Sequence, residues 1–328
     1  MKFMPKFGYH ASHEQFTPAE LVRYARLAEE AGFEAVMSSE HITPWSVRQG
    51  QSGMAWPWLG AAMQATALPF GSLAIPGGWR YHPVIVAHAF ATLGQMFPGR
   101  LPWIAVGSGE YANEHVVGSF WPGKRERNAR MKEAADTMRA LWQGETVTRQ
   151  GGFIEVDEAK LWTLPEIPPR LYGAALTEET ARWLGSWADG LITVNKPPEK
   201  LQALLNAFRE GGGEGKPLVL QVHLSWAEEE ETALHAAHDQ WRTNIIGSDG
   251  LADFRTVEEF ERAAADITPE QMREHVLISS NTEQHISWLS EYIAMGFDEI
   301  YLHAVGRNQE TFLTHWGSHV LPALKAKG

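Results

Sequence analysis

Glu40, His41 and Trp45 stand together in the stretch SSEHITPW, directly after the apolar run EAVM. A carboxylate beside an imidazole can move protons, because histidine titrates near neutrality and a neighbouring acid sets its charge. Adjacent residues of an extended chain point to opposite sides, but where a strand gives way to a turn both can reach one pocket. Trp45 would then supply a flat apolar wall for an aromatic ligand. The same residues also read as a helix-capping acid, a loop histidine and a core tryptophan. Further along, VGSGE sets Glu110 behind Gly107, Ser108 and Gly109. Two glycines let a backbone approach a ligand closely, and a carboxylate there could trade a proton with it. The motif lacks the spacing of a dinucleotide or P-loop fingerprint, and a plain glycine turn also accounts for it.

Four histidines, His10, His41, His223 and His303, fall at the ends of apolar runs and raise a metal-dependent hydrolase as a rival reading. Against it, YHASH lacks a close H-x-H pair, and no H-E-x-x-H occurs. The chain has no cysteine, which removes disulfides, thiolate nucleophiles and sulfur-ligated metals. In GAALTEET, Thr177 reads as a helix N-cap whose neighbouring amides suit a phosphate, while Glu178 and Glu179 complement the same dipole for structural reasons alone.

The elements that must position these residues follow from periodicity. Eight apolar runs (KFGYH, EAVMSS, PFGSLAIP, PWIAVGSG, RLYGAA, DGLITVN, PLVLQVHLSW and EIYLHAVG) alternate with amphipathic stretches. In TPAELVRYARLAEEAGF, Leu21, Tyr24, Ala25 and Ala28 share one stripe, Thr17 and Glu20 form a capping box, and Gly32 ends the helix. The MGFDEI turn at Gly296 repeats that ending. Eight strands each followed by a helix predict an α/β fold, a (β/α)₈ TIM barrel in one domain over residues 1–328, with a helical insertion at about 241–273. Chemistry then sits at the carboxyl ends of the strands. With 44% hydrophobic residues in 328 the chain can bury a large core. Its net charge of -12 argues against nucleic acid, and the lack of a long apolar run argues against a membrane partner, so a cytoplasmic location is the default.

The segments GYHASHEQF, SSEHITPW, WRYHPVIVAHAFATLGQMFPGR, VGSGEYANEHVVG and WADGLITVN, in this order from roughly Phe7 to Leu324, resemble the luciferase-like monooxygenase superfamily of flavin and deazaflavin enzymes. Within it the similarity points to the group around deazaflavin-dependent glucose-6-phosphate dehydrogenase. The resemblance implies a homodimeric, bacterial luciferase-like barrel that holds a flavin at its mouth for hydride transfer to or from a small molecule. It implies His41 as the catalytic base, Glu40 in the place of an aspartate beside it, Trp45 steadying the intermediate and Glu110 giving a proton to the reduced ring.

By the same resemblance, a cis peptide at Leu73–Ala74 would press on the ring from behind. Gly107, Ser108, Gly109 and Asn113 would contact the cofactor, as would Ala175, Leu176 and Thr177. His10, Glu14, Val194, Asn195, Lys196, His223 and His303 would line the substrate pocket. Two departures stand out. Leu176 and Thr177 replace paired glycines, and of a phosphate clamp made of a threonine, two lysines and an arginine only Lys196 remains, with Val194 or Asn195 for the threonine and His275 where the arginine would fall. These departures imply a non-phosphorylated substrate and FMN rather than coenzyme F420. The expectation is therefore an FMN-dependent oxidoreductase with oxygen use left open. An F420-dependent dehydrogenase of an alcohol or sugar, a flavin-binding protein without turnover and a metal-dependent barrel hydrolase stand as alternatives.

Overall fold

All eight apolar runs form strands, buried on both faces because helices cover the outside and side chains fill the inside. The computed structural model of the chain describes residues 4–118, 120–247 and 251–326. Strands β1 (Lys6–Ala11), β2 (Ala35–Ser38), β3 (Phe70–Ala74) and β4 (Trp103–Val106) pair in sequence order. An antiparallel hairpin, β5 (Val147–Arg149) and β6 (Val156–Ala159), lies outside the barrel. The barrel continues through β7 (Arg170–Ala174), β8 (Gly190–Val194) and β9 (Leu218–Ser225). A two-residue strand, β10 (Leu277–Ile278), extends the edge of β9, and β11 (Glu299–Ala304) pairs with both β9 and β1, so the parallel sheet closes on itself.

The helices begin as the sequence signals require. In α1 (Pro18–Glu30) Thr17 and Glu20 form the capping box, Leu21, Tyr24, Ala25 and Ala28 are the buried stripe, and Gly32 follows at φ +86°. Gly296 ends its helix at φ +85° in the same way. Then come α2 (Ala55–Ala65), α3 (Pro83–Met96), the short α4 (Tyr111–Glu114), α5 (Lys124–Trp142), α6 (Glu178–Gly185), α7 (Pro198–Phe208) and α8 (Glu230–Trp241). Between α8 and β10 the chain adds the helix Val257–Ala263, which reaches over the barrel mouth. Glu261 accepts from Ser46 at 2.5 Å and pairs with Arg48 at 2.9 Å, and the Tyr111 amide donates to Ala252 at 2.9 Å. Among the described residues no helix is long and apolar enough to cross a membrane.

Inside the barrel, Trp103, Tyr172 and Tyr301 fill the amino-terminal end. The indole of Trp103 stacks on Tyr172 at 5.5 Å and donates to Glu299 at 3.0 Å, while the Tyr301 hydroxyl donates to the same carboxylate at 2.6 Å. Room for these rings comes from Gly71 and Gly8. A Cβ on Gly71 would stand 2.1 Å from the Trp103 ring, and one on Gly8 would stand 2.2 Å from Tyr301.

One expectation fails here. Among the described residues no peptide bond is cis, so Leu73–Ala74 is trans. The β3–β4 ladder runs straight through it, with Leu73 opposite Ala105 and Ala74 opposite Val106, and the Gly107 amide continues the pattern by donating to Ala74 at 3.2 Å. The strand therefore has no bulge at this point.

Candidate active site

The chain leaving β1 supplies the carboxylate that matters most. Glu14 is 2% exposed, and its Oε2 accepts from Ser12 at 2.8 Å and Ser39 at 2.9 Å. Its Oε1 meets Nδ1 of His41, which is carried on the loop after β2. On the other side of the ring, Nε2 of His41 lies 3.5 Å from Oε2 of Glu110. Burial works against a charge on His41, but Glu14 above all, and then Glu110, outweighs it and holds the imidazole at about 10. Burial likewise raises Glu14, yet His41 more than reverses this and keeps the carboxyl well below its usual range. The resting pair is an imidazolium and a carboxylate. Nδ1 is committed to Glu14, so Nε2 is the ring atom left for a substrate oxygen. Trp45 meets the His41 ring edge-on at 5.3 Å and Phe260 at 5.2 Å, so the added helix walls one side of the site.

Glu40, expected beside His41, takes no part in this pair. Its two oxygens accept from Arg80 at 2.8 and 2.7 Å, and the Tyr81 hydroxyl donates to it at 3.1 Å. Neighbouring side chains leave the chain on opposite sides here, so Glu40 is turned away from the mouth while His41 faces it. Arg80 also reaches Glu114 at 3.4 Å. Burial pushes Glu114 up to about 7 against the pull of Arg80. Asn113 holds the loop from α4. Its Oδ1 accepts from the amides of Ile42 at 2.9 Å and Thr43 at 3.3 Å, and its Nδ2 donates to Glu110 at 3.2 Å.

His10, His223 and His303 converge on the interior face above the aromatic layer. The rings of His10 and His303 lie 4.3 Å apart, and those of His303 and His223 lie 5.5 Å apart. Nε2 of His303 donates to Gln15 at 3.0 Å, while the Gln221 amide donates to Nδ1 of His303 at 3.4 Å and to Nε2 of His223 at 3.1 Å. These bonds assign neutral tautomers to both rings. Burial agrees: it lowers His10 to about 4, His223 to about 3 and His303 well below its ordinary value. The floor of the mouth is thus polar but uncharged, and Nδ1 of buried His10 has no partner among the described residues. No three His, Cys, Asp or Glu side chains among those residues are arranged to hold a metal ion.

The remaining expected residues divide. Leu73 packs with the interior face and Val194 is half-buried at the end of β8, but Ala74 and Ala175 point into the outer core between strands and helices. Asn195 accepts from the His223 amide at 2.8 Å and donates to the His275 carbonyl at 3.2 Å, which fixes the orientation of its side chain. Half-buried Lys196 makes no ion pair among the described residues, and burial and then Lys200 lower its pKa. Thr177 caps α6 by accepting from the Thr180 amide at 3.3 Å, with Glu178 and Glu179 in the first turn, so that helix end favours the structural reading.

A ring cofactor with an anionic chain needs an apolar slot and a cation. For the first, Leu73 in β3, Val194 at the end of β8 and the 48%-exposed Leu176 just after β7 are the apolar side chains available. For the second, Lys124 donates to Ser108 at 2.9 Å where α5 starts at Gly123 without a side-chain cap, leaving amides available beside the ammonium. The residues present fit such a group. Gly109, at φ +83°, makes the turn between Ser108 and Glu110.

Sequence reasoning missed Arg80, Tyr81, Glu114, Gln15 and Gln221. For Gln221 a signal existed: with His223 it makes a polar i, i+2 pair in an otherwise apolar strand, which marks one face.

Comparison with known proteins adds the following. Residues 1–299 match the family described as luciferase-like monooxygenase. The chain is 34% identical over 333 residues to a protein of Beutenbergia cavernae named F420-dependent glucose-6-phosphate dehydrogenase, covering 99% of this chain and 98% of that one. The protein of the same name from Nakamurella multipartita is 34% identical over 330 residues, with 98% and 97% covered. A solved F420-dependent secondary alcohol dehydrogenase in complex with an F420-acetone adduct superposes with a TM-score of 0.90 at 29% identity, covering 98% of this chain and 99% of that one.

Proposed function

The chain belongs to the luciferase-like monooxygenase family, and on that premise we propose that it is an F420-dependent dehydrogenase interconverting a small uncharged secondary alcohol and its ketone. The observation that carries this reading is the His41 ring held between Glu14 and Glu110 at the mouth. The curated relatives and the solved alcohol dehydrogenase are named as F420-dependent, which supports the deazaflavin over the FMN expected from the loop at Leu176 and Thr177. The substrate class draws support from the neutral histidine floor and from the absence of an arginine beside Lys196, whose cationic neighbours among the described residues are Lys200 and His275. A doubly charged phosphate would need several charge-assisted contacts, each worth about 1.5–3 kcal/mol.

Leu73 and Val194 would hold a deazaflavin, with Lys124 as the cation for its phosphate, and the group would supply the acceptor or donor of the hydride exchanged with the carbinol carbon. The protein's own residues handle the proton. In ketone reduction, Nε2 of His41 delivers it to the carbonyl oxygen; in alcohol oxidation, the neutral ring takes it from the hydroxyl. Glu14 fixes the ring's orientation and stabilises its cation, and Glu110 is near enough to Nε2 to pass the proton onward. Trp45 and Phe260 keep water from one side.

Two titrations test the proposal. The protein should bind F420 more tightly than FMN, and simple secondary alcohols should bleach the oxidised deazaflavin where glucose 6-phosphate does not. Tighter FMN binding would overturn the cofactor. Saturable oxidation of glucose 6-phosphate at micromolar levels would overturn the substrate class.

A further inference from the structure

Among the described residues Arg80 makes no hydrogen bond or ion pair to His41, yet its side chain is only 6% exposed and the bonds it makes there lead back to the loop that carries His41. Its guanidinium grips Glu40, the residue before His41, at 2.8 and 2.7 Å. The same group reaches Glu114 at 3.4 Å, and the Arg80 amide donates to Glu114 at 3.2 Å. Tyr81 lies under the guanidinium at 4.5 Å and shares Glu40. Glu114 is the last residue of α4, a helix of four residues that opens at Glu110 and also holds Asn113. Asn113 accepts from the amides of Ile42 and Thr43, the two residues after His41.

The contacts form a closed circuit from Glu40 through Arg80, Glu114 and Asn113 back to Ile42. His41 is held on both flanks, each time to one short helix that has little stability of its own. We propose that Arg80 is a positioning residue, which locks α4 against the His41 loop and so sets the separation between His41 Nε2 and Glu110. Two carboxylates share one buried guanidinium, and without it they would repel each other and drive α4 from the loop. A lysine cannot replace it, because a point charge does not reproduce the two-pronged grip on Glu40 while also reaching Glu114.

The inference takes His41 as the proton-transfer residue of the proposed reaction, but its test uses the full chain without cofactor or substrate and holds even if the assigned reaction is wrong. The His41 imidazole is titrated by NMR in the parent, Glu110→Gln, Arg80→Lys and the double variant. In the parent background Glu110→Gln should lower the His41 pKa by about one unit or more, as loss of an opposite charge at this range does. In the Arg80→Lys background the same change should do almost nothing, because Glu110 has already moved away. Equal shifts in both backgrounds, whatever happens to the melting temperature, would mean that Arg80 serves stability alone and would overturn the proposal. So would a parent in which Glu110→Gln leaves His41 unmoved. Should Arg80→Lys fail to fold, Arg80→Lys with Glu114→Gln keeps one cation against one buried carboxylate, and the same comparison decides there.

Discussion

Replacing Glu14 by glutamine keeps the shape of the side chain and removes its charge. The His41 ring stands at about 10 against an ordinary 6.5, a rise of about 3.5 units or roughly 5 kcal/mol in favour of the imidazolium. Burial alone would push the other way, and Glu14 opposes it more strongly than any other group, so its loss should return the ring by about two to three units. The consequence for turnover has a definite sign. In the parent, alcohol oxidation needs the neutral ring and should climb with pH until about 10, while ketone reduction uses the cation and should hold steady up to that point. In Glu14→Gln both limbs should slide toward neutrality, with faster oxidation and slower reduction near pH 7 if the ring keeps its place. An NMR titration of His41 and pH profiles of single-turnover rates in both directions would check this. Stability follows the same pair. The raised imidazole contributes fully below 6.5 and loses its contribution as pH rises through about 10, and the depressed carboxylate loses its own as pH falls through its folded value. Glu14→Gln should therefore cost stability between the ordinary carboxylate range and about pH 10, with the gap closing above. A parent His41 that titrates near 6.5, or a variant that titrates like the parent, would refute the reasoning.

Three further outcomes are expected. His41→Asn should keep cofactor affinity but slow the chemical step by roughly 10²–10⁴; unchanged single-turnover rates would return His41 to a loop role. His10 at about 4 and His223 at about 3 take up protons later than the unfolded chain, so stability should fall as pH drops below 6.5, by up to about 3 kcal/mol for His10 and about 5 kcal/mol for His223. His10→Phe should flatten that acid limb in urea midpoints, and parallel slopes would count against a neutral His10. Gly71→Ala should destabilise by about 1–3 kcal/mol or more in denaturant unfolding, because its Cβ would stand 2.1 Å from the Trp103 ring.

The barrel was legible because its signals are local. Alternation marked the eight strands, and Thr17, Glu20 and Gly32 marked the ends of α1. The partner of His41 was not legible, since adjacency in sequence suggested Glu40 while the fold brings in Glu14 from 27 residues away and sends Glu40 to Arg80, 40 residues on. No local spacing encodes such a choice. Some errors were avoidable: with Leu73 facing inward, Ala74 one residue later must face outward. The cofactor expectation leaned on Leu176 and Thr177 and passed over Lys124, which the fold sets beside Ser108.

The layer of Trp103, Tyr172 and Tyr301 makes the barrel a blind tube. Under the proposed dehydrogenase reading, a cofactor and a substrate that must touch for a hydride to pass would share the remaining open end, so they would queue. Whichever seats deeper has to arrive first and depart last, and its exchange waits on the other's exit. On that reading such a geometry would impose a compulsory order on the steady state. Product-inhibition patterns would then report which ligand lies beneath, before any complex is seen.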